Sequence, residues 1–242
     1  MSKTKKKSVL WLILVLAVVI LVAVVLLKPA EHQEPEQTDP AQTETVAPET
    51  EPQPIAVLRD ALRIDQIGSY TGIFVEDGSD EAVSNLLMMV VTNITPEPIQ
   101  YAAITLDVAG ETAEFNLSVL PAGETAILIE QNRMAFDRNF DYGSAQAECL
   151  NLAGFDRELS LQSDKLEIQV LNGAINLTNI SGADITGTIL LYYKNINNGV
   201  YHGGIAYRVR LEEGMKEGEI RQITGAHFHQ TGSRILFVDI VE

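Results

Sequence analysis

The feature that most constrains this 242-residue chain is an apolar run at residues 8–27, which contains no charged side chain. A helix of that length spans about 30 Å, the thickness of a bilayer hydrocarbon core, so the run is long enough to cross a membrane once. Inside lipid, each backbone N–H and C=O must bond within the segment, which requires a helix. We therefore predict a transmembrane helix over residues 8–27.

The charges around this run predict its orientation. Four lysines lie within residues 1–7, and only Lys28 follows the run closely. Positive residues favour the cytoplasmic side, so residues 1–7 are predicted to be a cytoplasmic tail and the rest of the chain extracytoplasmic. A cleaved signal peptide is the alternative. The run exceeds the roughly 7–15 apolar residues usual in signal peptides, and residues 26–30 lack an A-x-A-like site, which favours an uncleaved signal anchor.

The next segment, residues 28–54, has the composition of a disordered linker. It holds six of the nine prolines and seven carboxylates, and it has no aromatic residue. Such a segment buries too little apolar surface to offset its ordering entropy. At about 3.1 Å per residue in an extended polyproline conformation, it reaches roughly 80 Å at most. A spacer of selected length and a simple tether both fit this composition.

The composition of residues 55–242 excludes some partners. This region has 12 Lys and Arg against 26 Asp and Glu, a net charge of −14, which argues against nucleic acid or anionic lipid as a partner. Cys149 is the only cysteine, so no intramolecular disulfide is possible and the fold must be held by core burial. The alternating sequence around Cys149 predicts a small buried hydrophobic side chain in a strand, rather than a nucleophile.

Short alternating segments separated by turn residues predict β-strands through the rest of the chain. In residues 113–120, for example, Phe115, Leu117 and Val119 share one face, and polar residues occupy the other, as in antiparallel sheets. Only residues 56–67 fit a short helix. The predicted strands are residues 85–93, 99–108, 113–120, 125–131, 166–171, 174–179, 186–194, 204–211, 218–224 and 233–241.

This strand pattern occurs twice. Thr-Asn-Ile-Thr at residues 92–95 recurs as Thr-Asn-Ile-Ser at residues 178–181, and a Gly-Glu turn precedes a strand at both Glu124 and Glu219. We predict a duplicated β-sandwich: the first at residues 55–153, a connector at residues 154–165, and the second at residues 166–242. Each copy is expected to fold independently, with Tyr192 buried in the second.

The second copy resembles a known class of module. Asn-Ile-Ser-Gly at residues 179–182, Leu-Leu-Tyr-Tyr at residues 190–193 and the Gly-Glu turn resemble bacterial immunoglobulin- or fibronectin-type surface modules of the FxLYD and CARDB-like kind. The first copy shares the turn at Asn93 and the Leu-Pro-Ala-Gly-Glu sequence, but it has Leu106-Asp107 where the aromatic residue belongs. The resemblance implies two tandem antiparallel Ig-like β-sandwiches, an all-β fold, and an accessory or adhesive role at the surface.

Candidate catalytic or metal-binding residues are few. The chain has no G-x-S-x-G, H-E-x-x-H or Gly-rich phosphate loop. His227 and His229 would share one face of a strand and could ligate one metal ion, with His202 or an acid as the third ligand. The alternative is that Phe228 faces the core and the two histidines lie in solvent near a turn.

A second candidate metal site is the acidic stretch at residues 76–81, which contains four carboxylates. Oxygen ligands from Asp77, Asp80 and Glu81 would suit calcium, although the spacing is not that of an EF-hand. A solvated Asp-Gly turn between strands explains the same residues. Nothing in the sequence implies a cofactor.

Two functional hypotheses follow from these observations. The first is a non-catalytic binding or structural module at the cell envelope, tethered by residues 8–27, that contacts another envelope protein or a wall polymer. The second is a metal-assisted envelope hydrolase using His227 and His229. A concave pocket in which those histidines meet a carboxylate would favour the second.

Overall fold

The computed structural model describes residues 54–241, and this part of the chain is all-β, as predicted. The predicted cytoplasmic tail (1–7), transmembrane helix (8–27) and linker (28–54, except Pro54) lie outside the described residues. Between residues 54 and 241, no helix has the length and apolar character needed to span a bilayer.

Fourteen strands and one 3-10 turn at Tyr142–Ser144 make up the described part of the chain. The strands are β1 (Ala56–Leu58), β2 (Leu62–Phe74), β3 (Glu81–Asn93), β4 (Ile99–Val108), β5 (Glu111–Leu120), β6 (Thr125–Ile129), β7 (Ala147–Gly154), β8 (Leu166–Leu171), β9 (Ala174–Asn179), β10 (Thr188–Asn197), β11 (Val200–His202), β12 (Tyr207–Leu211), β13 (Ile220–Ile223) and β14 (Ser233–Val241).

The strands form three sheets. The large sheet has the order β1-β2-β3-β6-β11-β10-β12, and β14 also pairs with β10. Two three-stranded sheets have the orders β5-β4-β7 and β13-β9-β8. The described strand pairs are antiparallel except for β6 and β11, which pair in parallel over residues 125–127 and 200–202. This parallel pair joins the first half of the chain (residues 54–153) to the second half (residues 166–241) within one sheet.

Two hydrophobic cores lie between the large sheet and the small sheets, an arrangement consistent with a β-sandwich. In the first core, Leu62, Met89 and Leu128 of the large sheet pack with Ile104 and Phe115 of the first small sheet. Fully burying a large apolar side chain of this kind stabilises a fold by about 1.5–3 kcal/mol.

The second core is built from the second half alone, whereas the first core is not confined to the first half. Leu191 and Val238 of the large sheet pack with Ile175 and Leu177 of the other small sheet. Tyr201 of β11, however, is fully buried in the first core. The two halves therefore share both a sheet and part of a core.

Alternation predicted most strands well. In β5, Phe115, Leu117 and Val119 are buried while Glu114 is exposed, as predicted. The predicted bounds of β4, β8, β9 and β14 match the observed bounds to the residue. β4, β8 and β9 have one more buried and one more exposed face, which is the condition under which a period of two is visible in the sequence. β14 differs, because the adjacent residues Phe237 and Val238 are both buried.

The predicted helix at residues 56–67 is wrong, because this segment forms β1 and the beginning of β2. The chain turns at Arg59 and Asp60, both at positive φ (49° and 53°), the conformation of a tight hairpin turn. Leu62 and Ile64 then alternate inward, and β2 pairs with β3 along its length. This long-range pairing overrides the local preference of a short apolar segment.

Asn93, predicted to be a turn residue, is fully buried at the end of β3 and organises the following turn. Its amide nitrogen donates to the carbonyl oxygens of Glu97 (2.8 Å), Leu120 (3.1 Å) and Pro121 (3.2 Å). Its side-chain oxygen accepts from the backbone N–H and the hydroxyl of Thr95. The side chain thus satisfies carbonyl groups from two separate segments.

Asn179 makes the same set of bonds in the second half. Its amide nitrogen donates to the carbonyl oxygens of Ala183 (2.8 Å), Met215 (3.2 Å) and Lys216 (3.0 Å). Its oxygen accepts from the backbone N–H and the hydroxyl of Ser181. The recurring Asn-Ile-Thr/Ser sequence therefore corresponds to a recurring three-dimensional network.

The predicted burial of Tyr192 is wrong, because the buried ring on β10 is Tyr193. Ile189, Leu191 and Tyr193 face the second core, whereas Tyr192 is partly exposed and stacks on Phe237 with ring centroids 4.2 Å apart. Both faces of β10 carry apolar residues, so no polar position fixes the phase of the alternation.

The prediction that Cys149 is buried is confirmed. Its side chain lies in β7 within the first core. Burial raises the pKa of the thiol, which keeps it protonated and disfavours a nucleophilic role.

Candidate functional site: a histidine-lined cavity

A cavity of about 470 Å³ lies where the two halves meet, and both halves line it. The first half contributes the end of β2 and the β2–β3 turn. The second half contributes the end of β10, β11 and the loop between β13 and β14. The lining residues are Ile73, Val75, Asp80, Asn195, Ile196, Asn197, His202, His227, His229 and Gly232. We call this space the cavity.

All three histidines among the described residues line the cavity; the chain's fourth histidine is His32. The predicted strand placement of His227 and His229 is wrong, because β13 ends at Ile223 and both lie in the β13–β14 loop. Phe228 between them is buried in the second core, as the alternative interpretation predicted. The site therefore arises from loop geometry and not from strand periodicity.

His227 is held in place by the first half of the chain. Its Nδ1 lies 2.9 Å from the Asp80 carboxylate, and its ring stacks on Tyr207 at a centroid distance of 4.6 Å. The neutral imidazole must donate its Nδ1–H to this carboxylate, which leaves Nε2 with an unshared pair. Only 19% of the His227 side chain is exposed, so it is not the solvated residue that the alternative interpretation described.

His202 is also fixed by a residue of the first half. Its Nε2 lies 2.8 Å from the Tyr70 hydroxyl, and that hydroxyl donates its single proton to the Ile73 carbonyl at 2.7 Å. The imidazole must then carry its proton on Nε2, which leaves Nδ1 as an acceptor. Burial lowers the pKa of His202 and favours this neutral form.

The Tyr207 hydroxyl lies beside this arrangement without a hydrogen-bond partner among the described residues, although it is buried. Burial, followed by the negative charge of Asp80, raises its pKa. A buried hydroxyl without a partner carries a cost of about 1–3 kcal/mol, and such groups commonly bind water or a ligand.

The other acidic candidates lie outside the cavity. Arg133 contacts Asp77 at 3.1 Å and Glu81 at 2.7 Å, and its guanidinium lies 4.6 Å from the centre of the Phe74 ring. Hydrogen bonds from Ser79, ahead of the effect of Arg133, lower the pKa of Asp77. Arg133 thus engages carboxylates that a calcium ion would need, and calcium binding at this turn stays a prediction.

The five predicted metal ligands therefore do not converge on one point. Asp80 and His227 are in contact, His229 lines the same cavity, and Asp77 and Glu81 pair with Arg133. Between residues 54 and 241, no three His, Cys, Asp or Glu side chains are placed to hold one metal ion.

Two buried ionisable side chains next to the cavity, Lys194 and Glu76, were not predicted to be buried. Lys194 is fully buried, and its Nζ donates to the carbonyl oxygens of Ser118 (3.0 Å) and Gly204 (2.8 Å). Burial lowers the pKa of Lys194 to about 7, and the charge of Glu76 opposes this shift. The Glu76 carboxylate accepts from the N–H groups of Gly204 (2.8 Å) and Ile129 (3.0 Å). Burial raises the pKa of Glu76.

Gly204 is a point of close approach between the two halves. A Cβ atom at this position would lie 1.8 Å from the Asn116 carbonyl oxygen. The Ser118 N–H donates to the Gly204 carbonyl at 2.7 Å, and the Ala206 N–H donates to the Ser118 hydroxyl at 2.7 Å. We call this region the joint. It comprises Gly204 and Ser118, the buried side chains of Lys194 and Glu76, and the β6–β11 pairing. It fixes the cavity walls relative to each other.

No protein-family model matches the chain, and neither curated proteins nor solved structures show significant similarity to it. The fold and the site together define an all-β protein with a histidine-lined cavity at an internal joint.

Proposed function

We infer that this protein is a non-catalytic binding module of the cell envelope, and that the cavity is its binding site. The observation that carries the proposal is the cavity itself, which is formed by both halves and lined by six polar side chains. Ligand sites are commonly concave, largely preformed, and located between structural units. The joint supplies the preformed geometry.

The sequence supports an extracytoplasmic location for this module. Residues 8–27 form a membrane anchor, residues 1–7 remain in the cytoplasm, and residues 28–54 act as a linker that carries the folded part away from the bilayer. The net charge of −14 over residues 55–242 favours an envelope protein or a wall polymer over nucleic acid as the partner.

The two halves are proposed to be tandem Ig-like sandwiches derived from one duplicated unit. The matching networks of Asn93 and Asn179 support this origin, because each side chain bridges equivalent turns in its own half. A relationship to FxLYD- or CARDB-like modules is part of the same proposal, and it fits an accessory or adhesive role.

A pull-down of chemically cross-linked envelope components tests the binding role. Asn197→Trp places a large ring in the cavity lining, and Gln222→Trp places the same ring at an exposed β13 position that does not line the cavity. We expect the wild type and Gln222→Trp to recover the same component and Asn197→Trp to lose it. Equal recovery by both variants would contradict the cavity as the binding site.

A metal-assisted hydrolase using His227 and His229 is the second candidate. The contact between His227 and Asp80 favours it, because carboxylates commonly orient metal-binding histidines in this way. Dialysis of the purified full-length chain against zinc distinguishes the candidates. If the wild type binds one zinc ion tightly and both His227→Ala and His229→Ala lose it, the hydrolase becomes the preferred function and the binding module is rejected.

A further inference from the structure

We propose that the cavity binds a ligand carrying aliphatic ammonium groups. This inference rests on the proposed binding role and names the ligand chemistry for the same site. It follows from the hydrogen-bonding capacity, charge and shape of the lining.

His202, His227 and Asp80 bring hydrogen-bond acceptors to the cavity lining, beside the amides of Asn195 and Asn197. Tyr70 holds the proton of His202 on Nε2, and Asp80 holds the proton of His227 on Nδ1, so each neutral ring retains one unprotonated nitrogen. Asp80 adds a carboxylate whose side chain is 48% exposed. A ligand that satisfies these groups must supply donors, and an ammonium group supplies three.

The electrostatics favour a cationic donor over a neutral one. Among the described residues that line the cavity, none is a lysine or an arginine, and Asp80 is the only acidic one. The Lys194 ammonium points instead to the Ser118 and Gly204 carbonyls of the joint. The chain carries a formal net charge of −16, so its field attracts cations and repels anions.

The shape of the cavity favours an extended ligand over a single metal ion. Among the described residues, no three His, Cys, Asp or Glu side chains are close enough to share one ion. Ile73, Val75 and Ile196 add apolar surface to the same lining. An alkyl chain bearing amines matches a lining that combines apolar and acceptor groups. Free polyamines and lysine side chains of a peptide share this chemistry.

Calorimetric titration of the full-length chain in a neutral detergent tests the proposal. The probes are 1,4-diaminobutane, the neutral 1,4-butanediol and the anionic succinate. We expect saturable binding of one equivalent of the diamine only.

Two matched variants locate the binding. Asp80→Asn removes the cavity carboxylate, and Asn tolerates the positive φ of 55° at this position. Asp77→Asn makes the same charge change at a side chain of nearly equal exposure, 47%, outside the cavity. We expect Asp80→Asn to weaken diamine binding by at least about tenfold, and Asp77→Asn to change it by less than about twofold.

Four outcomes would overturn the inference. Equal binding of the diol would remove the requirement for charge, and equal weakening by both variants would indicate nonspecific attraction. One equivalent of zinc that displaced the diamine from the wild type, but not from His227→Gln, would indicate a metal site. Absence of diamine binding would reject the ammonium ligand. If Asn197→Trp still lost its envelope partner in the pull-down, the proposed binding module would be retained with a different ligand.

A peptide arm identifies the source of the ammonium group. A Gly-Lys-Gly peptide with acetylated and amidated ends is compared with its equally capped Gly-norleucine-Gly counterpart, which keeps the alkyl chain and lacks the side-chain ammonium group. Binding of the lysine peptide alongside the diamine supports a protein partner that presents lysine. Binding of the diamine alone supports a free polyamine, and binding of the norleucine peptide overturns the proposal.

Discussion

At the scale of individual residues, Lys194 is expected to make the stability of the protein depend on pH. Its ammonium group is fully buried, and burial lowers its pKa from 10.5 to about 7. In the unfolded chain the same group stays protonated up to about pH 10. The unfolded state therefore binds more protons than the folded state over this interval, so stability must rise as the pH rises through it.

We expect the melting temperature of the wild type to increase between about pH 6.5 and 9.5, and that of Lys194→Met to change much less. The stability that the wild type loses at Lys194 as the pH falls from about 10 to about 7 is on the order of a few kcal/mol. Thermal unfolding followed by circular dichroism measures the profile.

Lys165→Met is the control for this prediction, because it removes the same charge at an exposed position. Glu76 has an effect of the opposite sign. Burial raises its pKa, so its contribution to stability falls as the pH rises and cannot account for an increase in melting temperature. A Lys194→Met profile as steep as that of the wild type would show that another group titrates.

Asn93 offers a test of the side-chain networks. Asn93→Asp keeps the oxygen that accepts from Thr95 but removes the donors to the Glu97, Leu120 and Pro121 carbonyls. A carboxylate cannot donate to these carbonyl oxygens and repels them, and the loss of the buried bond to Leu120 alone costs about 1–3 kcal/mol, so we expect a destabilisation of at least that size. Urea unfolding midpoints measure it.

The same substitution at the equivalent position, Asn179→Asp, should have a similar effect, because its three carbonyl partners are equivalent. Asn151→Asp, at an exposed position in β7, is the control and should change stability little. A negligible effect at Asn93 would mean that water replaces the amide at no cost.

At the scale of the strands, the absence of a side chain at Gly204 allows the backbone after β11 to pack against the backbone of β5. An added Cβ would overlap the Asn116 carbonyl oxygen, and a backbone atom cannot move aside as a flexible side chain can. We expect Gly204→Ala to destabilise the protein by about 3 kcal/mol or more, as measured by urea unfolding.

Gly154→Ala is the matched control, because a Cβ added at Gly154 would meet no neighbouring atom within 4 Å and the φ of this residue is not in the positive region. It should leave stability nearly unchanged or raise it slightly. Similar effects from both variants would show that the close approach at Gly204 does not matter for folding.

The strands also show which parts of the fold were visible in the sequence. Those with one more buried and one more exposed face, such as β4 and β8, were predicted to the residue. β11 was missed because it has three residues and is defined by a parallel partner in the other half. The face of β10 was misassigned because apolar residues occupy both sides.

The candidate site was predicted in part. The sequence singled out His227, His229 and Asp80 as polar candidates, but the partners of His227 and His202 lie more than one hundred residues away in the chain. No local pattern reveals such a contact. Lys194 follows an apolar strand segment, and its burial depends on Gly204 and Ser118, which belong to different elements.

For the whole molecule, the shared sheet and Tyr201 affect how the two halves unfold. Independent sandwiches would give two thermal transitions. Because Tyr201 of the second half fills part of the first core, and the joint buries Lys194, we expect one calorimetric transition. Two resolved transitions would instead support the predicted division at residues 154–165.

The topology of the whole chain can be tested on intact cells. We expect added protease to release the folded part by cutting within residues 28–54, because this segment is predicted to lie outside the membrane and has the composition of an unfolded chain. Immunoblotting measures the release. Protection of the folded part would contradict the orientation, and a secreted product beginning after residue 27 would contradict the anchor.

The placement of Tyr201 also limits how the gene can change. A recombination event that deleted or exchanged one copy would leave an unfilled space in the first core and would expose the Lys194 side chain that the other copy covers. A gene that encoded only one copy would therefore need compensating substitutions where Tyr201 and Lys194 contact the other copy. If the chain arose by duplication, the parallel β6–β11 pairing made the duplication difficult to reverse.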